Sequence, residues 1–466
     1  ALEDQSLLTK SLLGPTQALL LRFFSQGNEK AYPGKDGWLF FRPGIDYVTG
    51  PPFLDEFELA KREASGNEYT LPPQPDPRQA ILDFHAQLKE RGIQLVIVPA
   101  PVKAVVHPEK FSGRFDDHDQ PLQNPSFAQF KKELEAAGVL VYDPAPLLVQ
   151  RKLETGQPQY LDTDTHWTPA AMDAVAQDLA AFVEANVALP EGRAGFKRVS
   201  TKVTNLGDIA NMLNLPAGQT LYPEQTVEIQ QVLQERTDLM WRSTKGAPIL
   251  VLGDSFSNSY SLGGMGWGES AGFIEQLGFH LKRPLDRLAR NDAGAFATRQ
   301  MLSQDLARGR DRLAGKKVVI WEFASRELVV GDWKMLPLKV GTPPPSNFIL
   351  PEPGKPLTVT GVIEQMSPIP PAGSTVYKDL IIALHLRDLR SPEKELAPGS
   401  EVLVFIWAMR NAKRTPVASW REGREVTLVI KDWDDVVDRY ESFKMVGIAD
   451  DDLMLESPCW AEEVKQ

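Results

Sequence analysis

The chain has 466 residues, 42% hydrophobic and 24% charged, with 62 acidic against 51 basic side chains and a formal net charge of −11. That length exceeds one core of ordinary size and calls for two or three domains. The charge argues against a nucleic-acid backbone or an anionic membrane surface as the main ligand. A single cysteine, Cys459, excludes an internal disulfide, a cysteine-built zinc site and an iron–sulfur cluster.

No stretch approaches the ~20 apolar residues that a membrane span needs. The chain begins with Ala rather than Met, which fits removal of a signal or membrane tether and points outside the cytoplasm. Residues 1–30 read as an amphipathic helical segment, interrupted at Pro15 and docked on the main domain. Gly34-Lys35-Asp36-Gly37 then predicts a turn and Trp38-Leu39-Phe40-Phe41 an apolar strand. Residues 66–77 are polar and proline-rich, a surface connection.

From Pro77 strands alternate with helices. A helix over about 78–91 leads into Ile93-Gln94-Leu95-Val96-Ile97-Val98, and one over about 126–137 into Val139-Leu140-Val141-Tyr142-Asp143. A third helix, 169–186, has Thr168 as N-cap and Pro169 at its first position. After an irregular stretch comes Pro248-Ile249-Leu250-Val251-Leu252, then helical segments within 271–313, then Lys317-Val318-Val319-Ile320-Trp321-Glu322-Phe323. Continuous apolar, β-branched runs are typical of strands buried on both faces. Four of them separated by helices predict a doubly wound parallel α/β sheet. Pro343-Pro344-Pro345 marks a linker, placed at 338–345. Beyond it, apolar runs at about 357–366, 379–388, 401–409, 425–433 and 443–449 predict an all-β domain over 346–466. An OB-like barrel is favoured there over a β-sandwich.

Ligands of open α/β sheets bind beyond the carboxyl ends of the strands. Ser255, in Gly253-Asp254-Ser255-Phe256, directly follows a predicted buried strand, where a sharp turn can present a nucleophile. Of the six histidines, five have structural explanations in helices, among prolines and acids, or in the β-domain. His166 stands instead in Asp164-Thr165-His166-Trp167-Thr168-Pro169, a loop whose exit is fixed by a capped helix. Asp164 can fold back onto Nδ1 and leave Nε2 free to accept the serine proton. Lys103 and Arg326 at strand ends, and Trp167 beside the base, are candidate contacts for a sugar. Trp38, Trp407, Trp420, Trp433 and Trp460 read as core. The sequence carries neither a phosphate-binding glycine loop nor a metal-ligand cluster, so neither cofactor nor metal is expected.

Gly253-Asp254-Ser255-Phe256 resembles the nucleophile block of SGNH hydrolases, and Asp164-x-His166 resembles their Asp/His block, in inverted chain order. The inverted order is similar to that of the alginate O-acetyltransferase AlgX/AlgJ family, whose acetyltransferase domain is a circularly permuted SGNH fold. Gly34 to Phe40, Val98 to Lys103, Asp162 to Pro169 and Trp321 to Glu327 extend the resemblance over 31–337. It implies acetyl transfer to hydroxyls of an exported polysaccharide through an acetylated Ser255, with Asp164 and His166 completing a triad. The Ser255 N–H and Asn258 would serve as oxyanion donors. It implies a periplasmic or other extracytoplasmic location and a membrane-bound O-acyltransferase partner as acetyl donor. A carbohydrate acetylesterase and a non-catalytic glycan-binding scaffold are the alternatives. So acidic a chain would not draw in a polyanion over long range, which favours a neutral or weakly charged glycan.

Overall fold

The computed structural model describes residues 7–65, 72–291, 294–342, 347–369, 379–440, 443–448, 450, 453 and 456–464. The linker prolines 343–345 and part of the polar connection, 66–71, lie outside the described residues. The chain divides into two compact units. The first comprises Ala1–Arg287, Ala293–Phe296 and Gly315–Leu336, and the second Leu288–Asp292, Ala297–Ala314 and Pro337–Gln466.

In chain order the first unit begins with strands β1 (Ala31–Pro33), β2 (Leu39–Phe41), β3 (Gln94–Ala100) and β4 (Leu140–Val141). There follow β5 (Phe196–Asn205), β6 (Gln225–Gln234), β7 (Ile249–Gly253), β8 (Asp286–Ala289, whose last two residues are counted with the second unit) and β9 (Val318–Ala324). A five-stranded sheet runs in the order β4-β3-β9-β7-β8, and the pairs β3–β4, β3–β9 and β7–β9 are parallel. β7 and β9 are buried along their whole length, as their unbroken apolar runs require. The helix Pro77–Glu90 is started by Asp76, whose carboxylate accepts the Arg78 N–H, and Pro169–Asn186 by Thr168, whose hydroxyl accepts the Ala171 N–H.

Three expectations are corrected in this unit. The sheet has a fifth strand, β8, whose Asp-Arg-Leu-Ala lacks the continuous apolar signature of its neighbours. The stretch expected to be irregular after the 169–186 helix contains the antiparallel ribbon β5–β6, ten residues paired on each side. Its strands are rich in Lys, Thr and Gln, which hides the pattern. The first helix, Leu7–Phe24, runs through Pro15 instead of stopping there. Leu21 on that helix is buried with Leu39, Ile209 and Leu213.

The second unit holds β10 (Leu357–Met366), β11 (Leu380–Arg390), β12 (Val402–Arg410), β13 (Lys413–Arg414), β14 (Glu425–Asp432), β15 (Met445–Val446) and β16 (Cys459–Glu463). Five of these close on themselves in the order β10-β11-β12-β16-β14, with β14 returning to β10. β12–β16 is the parallel pair in this ring. Val359, Ile382, Leu384, Val404, Leu428 and Ile430 fill the interior. The fifth barrel strand is not the apolar run at 443–449, which yields only the two-residue β15, but β16. Trp420, Trp433 and Trp460 are buried, in line with the core reading.

Candidate active site

The carboxyl ends of β3, β9 and β7 lie side by side, and three connections leave them together. The Ser325 N–H donates to the Ala100 carbonyl, and the Val102 N–H to the Ser325 hydroxyl. Beyond β7, Asp254 caps a short helical turn, Ser255–Asn258, and its two carboxylate oxygens accept the N–H groups of Phe256 and Ala324. Ser255 therefore opens a turn anchored to both β7 and β9. A side chain at position 253 would overlap the Ser257 hydroxyl, so Gly253 is what lets the turn fold this tightly.

The second loop is closed by the bridge Tyr160–Trp167 and by hydrogen bonds from Leu161 N to His166 O and from Thr168 N to Gln159 O. Inside it, Asp164 Oδ1 lies 2.7 Å from His166 Nδ1 and accepts the His166 N–H at 3.0 Å. Its Oδ2 accepts the indole N–H of Trp267 at 2.8 Å and the backbone N–H of Asp208 at 2.9 Å. Asp208 accepts the Thr165 N–H at 2.7 Å. Gly207, at φ +97°, lets the 207–208 segment approach, since a Cβ there would stand 2.5 Å from the Thr163 carbonyl.

Burial alone would raise the Asp164 carboxyl, but the charge and hydrogen bond of His166, with the Trp267 and Asp208 donors, hold it well below the usual range. Burial disfavours the His166 imidazolium, yet the Asp164 charge and hydrogen bond outweigh it and raise the imidazole. Burial first, then the Asp164 charge, raises the Asp208 carboxyl. Asp164, His166 and Asp208 bring their ligand-type atoms within 4.8 Å of one another. The dyad's hydrogen bond and the donors to Asp164 already engage these carboxylates and Nδ1, an arrangement suited to holding a proton on Nδ1.

His166 is 2% exposed, and its Nε2 is buried without a hydrogen-bond partner. The two loops meet through Phe256, whose ring stands edge-on to His166 at 5.0 Å and to Trp167 at 5.2 Å. Ser255 is thus one residue from a ring packed on the imidazole, although no hydrogen bond joins it to Nε2. Such bonds are commonly long in unliganded enzymes. Asn258 is buried at the end of the Ser255 turn.

The structure separates the three expected sugar contacts. Trp167 is fully buried between Phe256 and Phe273, so it has no face to offer a sugar; that expectation is corrected. Lys103 is corrected too. Its ammonium is buried and donates to the carbonyls of Leu39 at 2.7 Å and Asp162 at 3.1 Å, tying the β2 hairpin to the Asp/His loop. Burial lowers this lysine to about 8 against the pull of Asp164, Asp208 and Asp162. Arg326 alone keeps a binding group in reserve: its guanidinium lies 5.4 Å from the Phe41 ring and 5.9 Å from Phe256, its Nε is 3.9 Å from Glu327, and Nη1 has no partner. It lines a small recess with Phe41, Val102, Lys103 and Thr165.

Trp267 and Asp208 complete the dyad, and sequence reasoning missed both. Each lies in an irregular stretch 40 or more residues from Asp164, with no spacing to link them.

Residues 31–325 match the family described as "SGNH hydrolase-like domain, acetyltransferase AlgX". The chain is 28% identical over 322 residues to the "Probable alginate O-acetylase AlgJ" of Pseudomonas aeruginosa, covering 67% of this chain and 73% of that protein. The O-acetyltransferase domain of Pseudomonas putida AlgJ superposes with a TM-score of 0.49 at 23% identity, over 65% of this chain and 93% of that one. Pseudomonas aeruginosa AlgX gives 0.46 at 18% identity, over 87% and 91%. The matched region carries the parallel sheet and both loops of the site, and the chain belongs to the AlgX family of SGNH hydrolase-like acetyltransferases.

Proposed function

We propose that the protein is a polysaccharide O-acetyltransferase working through an acetyl-serine intermediate on Ser255, His166 and Asp164. The observation that carries this reading is the buried Asp164–His166 pair, with Nε2 unpartnered, packed through Phe256 against the turn that begins at Ser255. His166 Nε2 takes the Ser255 proton as Oγ bonds to the acetyl carbon. The donor's acyl bond then breaks, and the proton passes to its leaving group. A sugar hydroxyl next gives its proton to Nε2 and bonds to the acetyl carbon, the Ser255 ester breaks, and the proton returns to Oγ. Asp164 holds the imidazole in the required tautomer throughout. The Ser255 N–H and Asn258 are the proposed oxyanion donors, and losing one typically costs ~10²–10³ in rate.

The finer architecture belongs to this proposal. A His/Asp block preceding the serine supports a circularly permuted SGNH arrangement over 31–337, following the 1–30 segment. The barrel order with its parallel β12–β16 pair supports an OB-like C-terminal domain over 346–466. The relatives' printed name, alginate O-acetylase, supports a polysaccharide acceptor; an extracytoplasmic location and an acetyl donor presented by a membrane-bound acyltransferase are proposed with it, as the family resemblance implies.

The test is incubation with 4-nitrophenyl acetate and oligosaccharides, both neutral and uronate-bearing, with products read by mass spectrometry. Acetylated sugar is expected. Free acetate alone would assign an acetylesterase with the same residues, no reaction would favour the scaffold, and full activity in Ser255→Ala would remove the triad.

A further inference from the structure

A second pair of acids, Glu322 buried and Asp254 half-buried, lies directly behind the proposed nucleophile. Glu322, on β9, is 1% exposed, and its Oε2 accepts the Ser257 hydroxyl at 2.6 Å and the Asp254 N–H at 3.1 Å. Asp254 in turn uses both carboxylate oxygens to hold the turn, on the N–H groups of Phe256 at 2.7 Å and Ala324 at 2.8 Å. Asp254 thus meets the Glu322 carboxyl at its own backbone N–H, so the two acids sit against each other beneath the turn. Two carboxylates are acceptors only and repel each other, so acids placed this way are best accommodated when one carries a proton. With Glu322 written as a carboxylate, its Oε1 is buried with no donor. As an acid it brings a donor of its own to that position. Burial first, and then the Asp254 charge, pushes Glu322 well above the ordinary carboxyl range. Tyr160, whose hydroxyl donates to the Pro101 carbonyl, also feels the Glu322 charge. Gly253 makes the approach possible, since a Cβ there would come within 3.3 Å of Glu322 Oε2.

We propose that Glu322 is a positioning residue for Ser255: as a neutral carboxylic acid it hydrogen-bonds the Asp254 carboxylate and fixes the turn that presents the nucleophile. The proposal rests on the reading of Ser255 as nucleophile. The acid supplies one donor, to Asp254, and one acceptor, to Ser257 and the turn backbone. A glutamine supplies the same two without a titratable proton. Loss of the proton at high pH would set two negative charges against each other beneath the turn and release it. The acid acts through geometry, so its loss falls on the acetylation of Ser255 rather than on acceptor binding.

The experiment compares Glu322→Gln and Glu322→Ala with the parent protein. It follows 4-nitrophenyl acetate turnover across pH and single-turnover labelling of Ser255 by an arylsulfonyl fluoride. Glu322→Gln is expected to keep kcat within about threefold and to lack the alkaline fall of the parent. Glu322→Ala is expected to lose ~10–100-fold in kcat and labelling rate, the cost of a misplaced reacting group, with KM unchanged. A Gln variant as impaired as Ala, an Ala variant at the parent rate, or an alkaline limb shared by parent and Gln would each overturn the proposal. If Glu322→Ala does not fold, the rate and pH profile of Glu322→Gln decide alone. Ser255→Ala separates the two levels, because activity and labelling that survive in it remove the nucleophile reading whatever Glu322 does.

Discussion

Asp164 Oδ1 contacts His166 twice, at Nδ1 and at the backbone nitrogen. A single carboxylate oxygen therefore sets both the rotation of the imidazole and the course of the loop that carries it. The other oxygen is held by Trp267 and by the Asp208 N–H, so the carboxylate cannot turn away.

Asp164→Asn should lower turnover by ~10³–10⁴-fold, since an amide facing Nδ1 favours the wrong tautomer. It should also move the pH profile. The base must be neutral to accept a proton, and Asp164 raises the imidazole above its ordinary value of about 6.5. The acid limb of kcat/KM in the parent protein therefore lies above that value, and it moves to lower pH in the variant. A parent limb at or below about 6.5 would contradict the assignment.

Trp267→Phe keeps the ring in its fully buried site but removes the donor to Asp164. A buried carboxylate that loses one charge-assisted hydrogen bond should destabilise the first unit by about 1–3 kcal/mol. The acid limb should move at the same time, because the strength of the Asp164 contact governs the imidazole. Calorimetry with a pH–rate profile checks both. A change in Tm with an unmoved limb would make Trp267 packing alone.

How much of this site was legible follows from the range of each interaction. Asp164 and His166 are two residues apart, and Ser255 follows a strand whose apolar run is unbroken, so local pattern reaches all three. Trp267, Asp208 and Glu322 act through tertiary contacts across 44 to 103 residues, or from inside a strand where an acid looks like an interruption. The same contrast appears in the fold. Strands buried on both faces announce themselves, whereas the polar ribbon β5–β6 and the short β8 do not. Lys103 and Trp167 misled because position at a strand end, or beside the base, says nothing about which way a side chain turns. One folded back onto two carbonyls, and the other into the core.

Lys103 and Arg326 should separate in their effects, although both line the same recess. Lys103→Met takes this donor from the buried carbonyl of Leu39 and leaves that of Asp162 only the Leu39 N–H, so it should lower stability by about 1–3 kcal/mol. The KM for acceptor should stay near the parent value. Arg326→Met removes a guanidinium whose Nη1 has no protein partner and whose ion pair with Glu327 is long, so it should lower Tm less than Lys103→Met does and raise the acceptor KM. Tm and KM measured side by side decide. An unchanged KM in Arg326→Met would leave the recess without a role in binding.

In the second unit, Cys459 reports on closure of the barrel. It begins β16, the strand that pairs with β14 on one side and β12 on the other, and its side chain is wholly buried. Burial, with the nearby Asp432 charge, pushes the thiol up to about 12. A buried thiol with so little thiolate is a poor nucleophile. Native protein should therefore fail to react with Ellman's reagent at neutral pH. Denaturant should release one thiol per chain over the range in which β16 leaves the barrel. A second variant, truncated before Cys459, breaks the ring between β12 and β14 and should melt the second unit at lower temperature, while Ser255 in the first unit keeps its labelling rate. Rapid thiol reaction in native protein, or a truncated barrel as stable as the parent's, would show that β16 does not hold the ring closed.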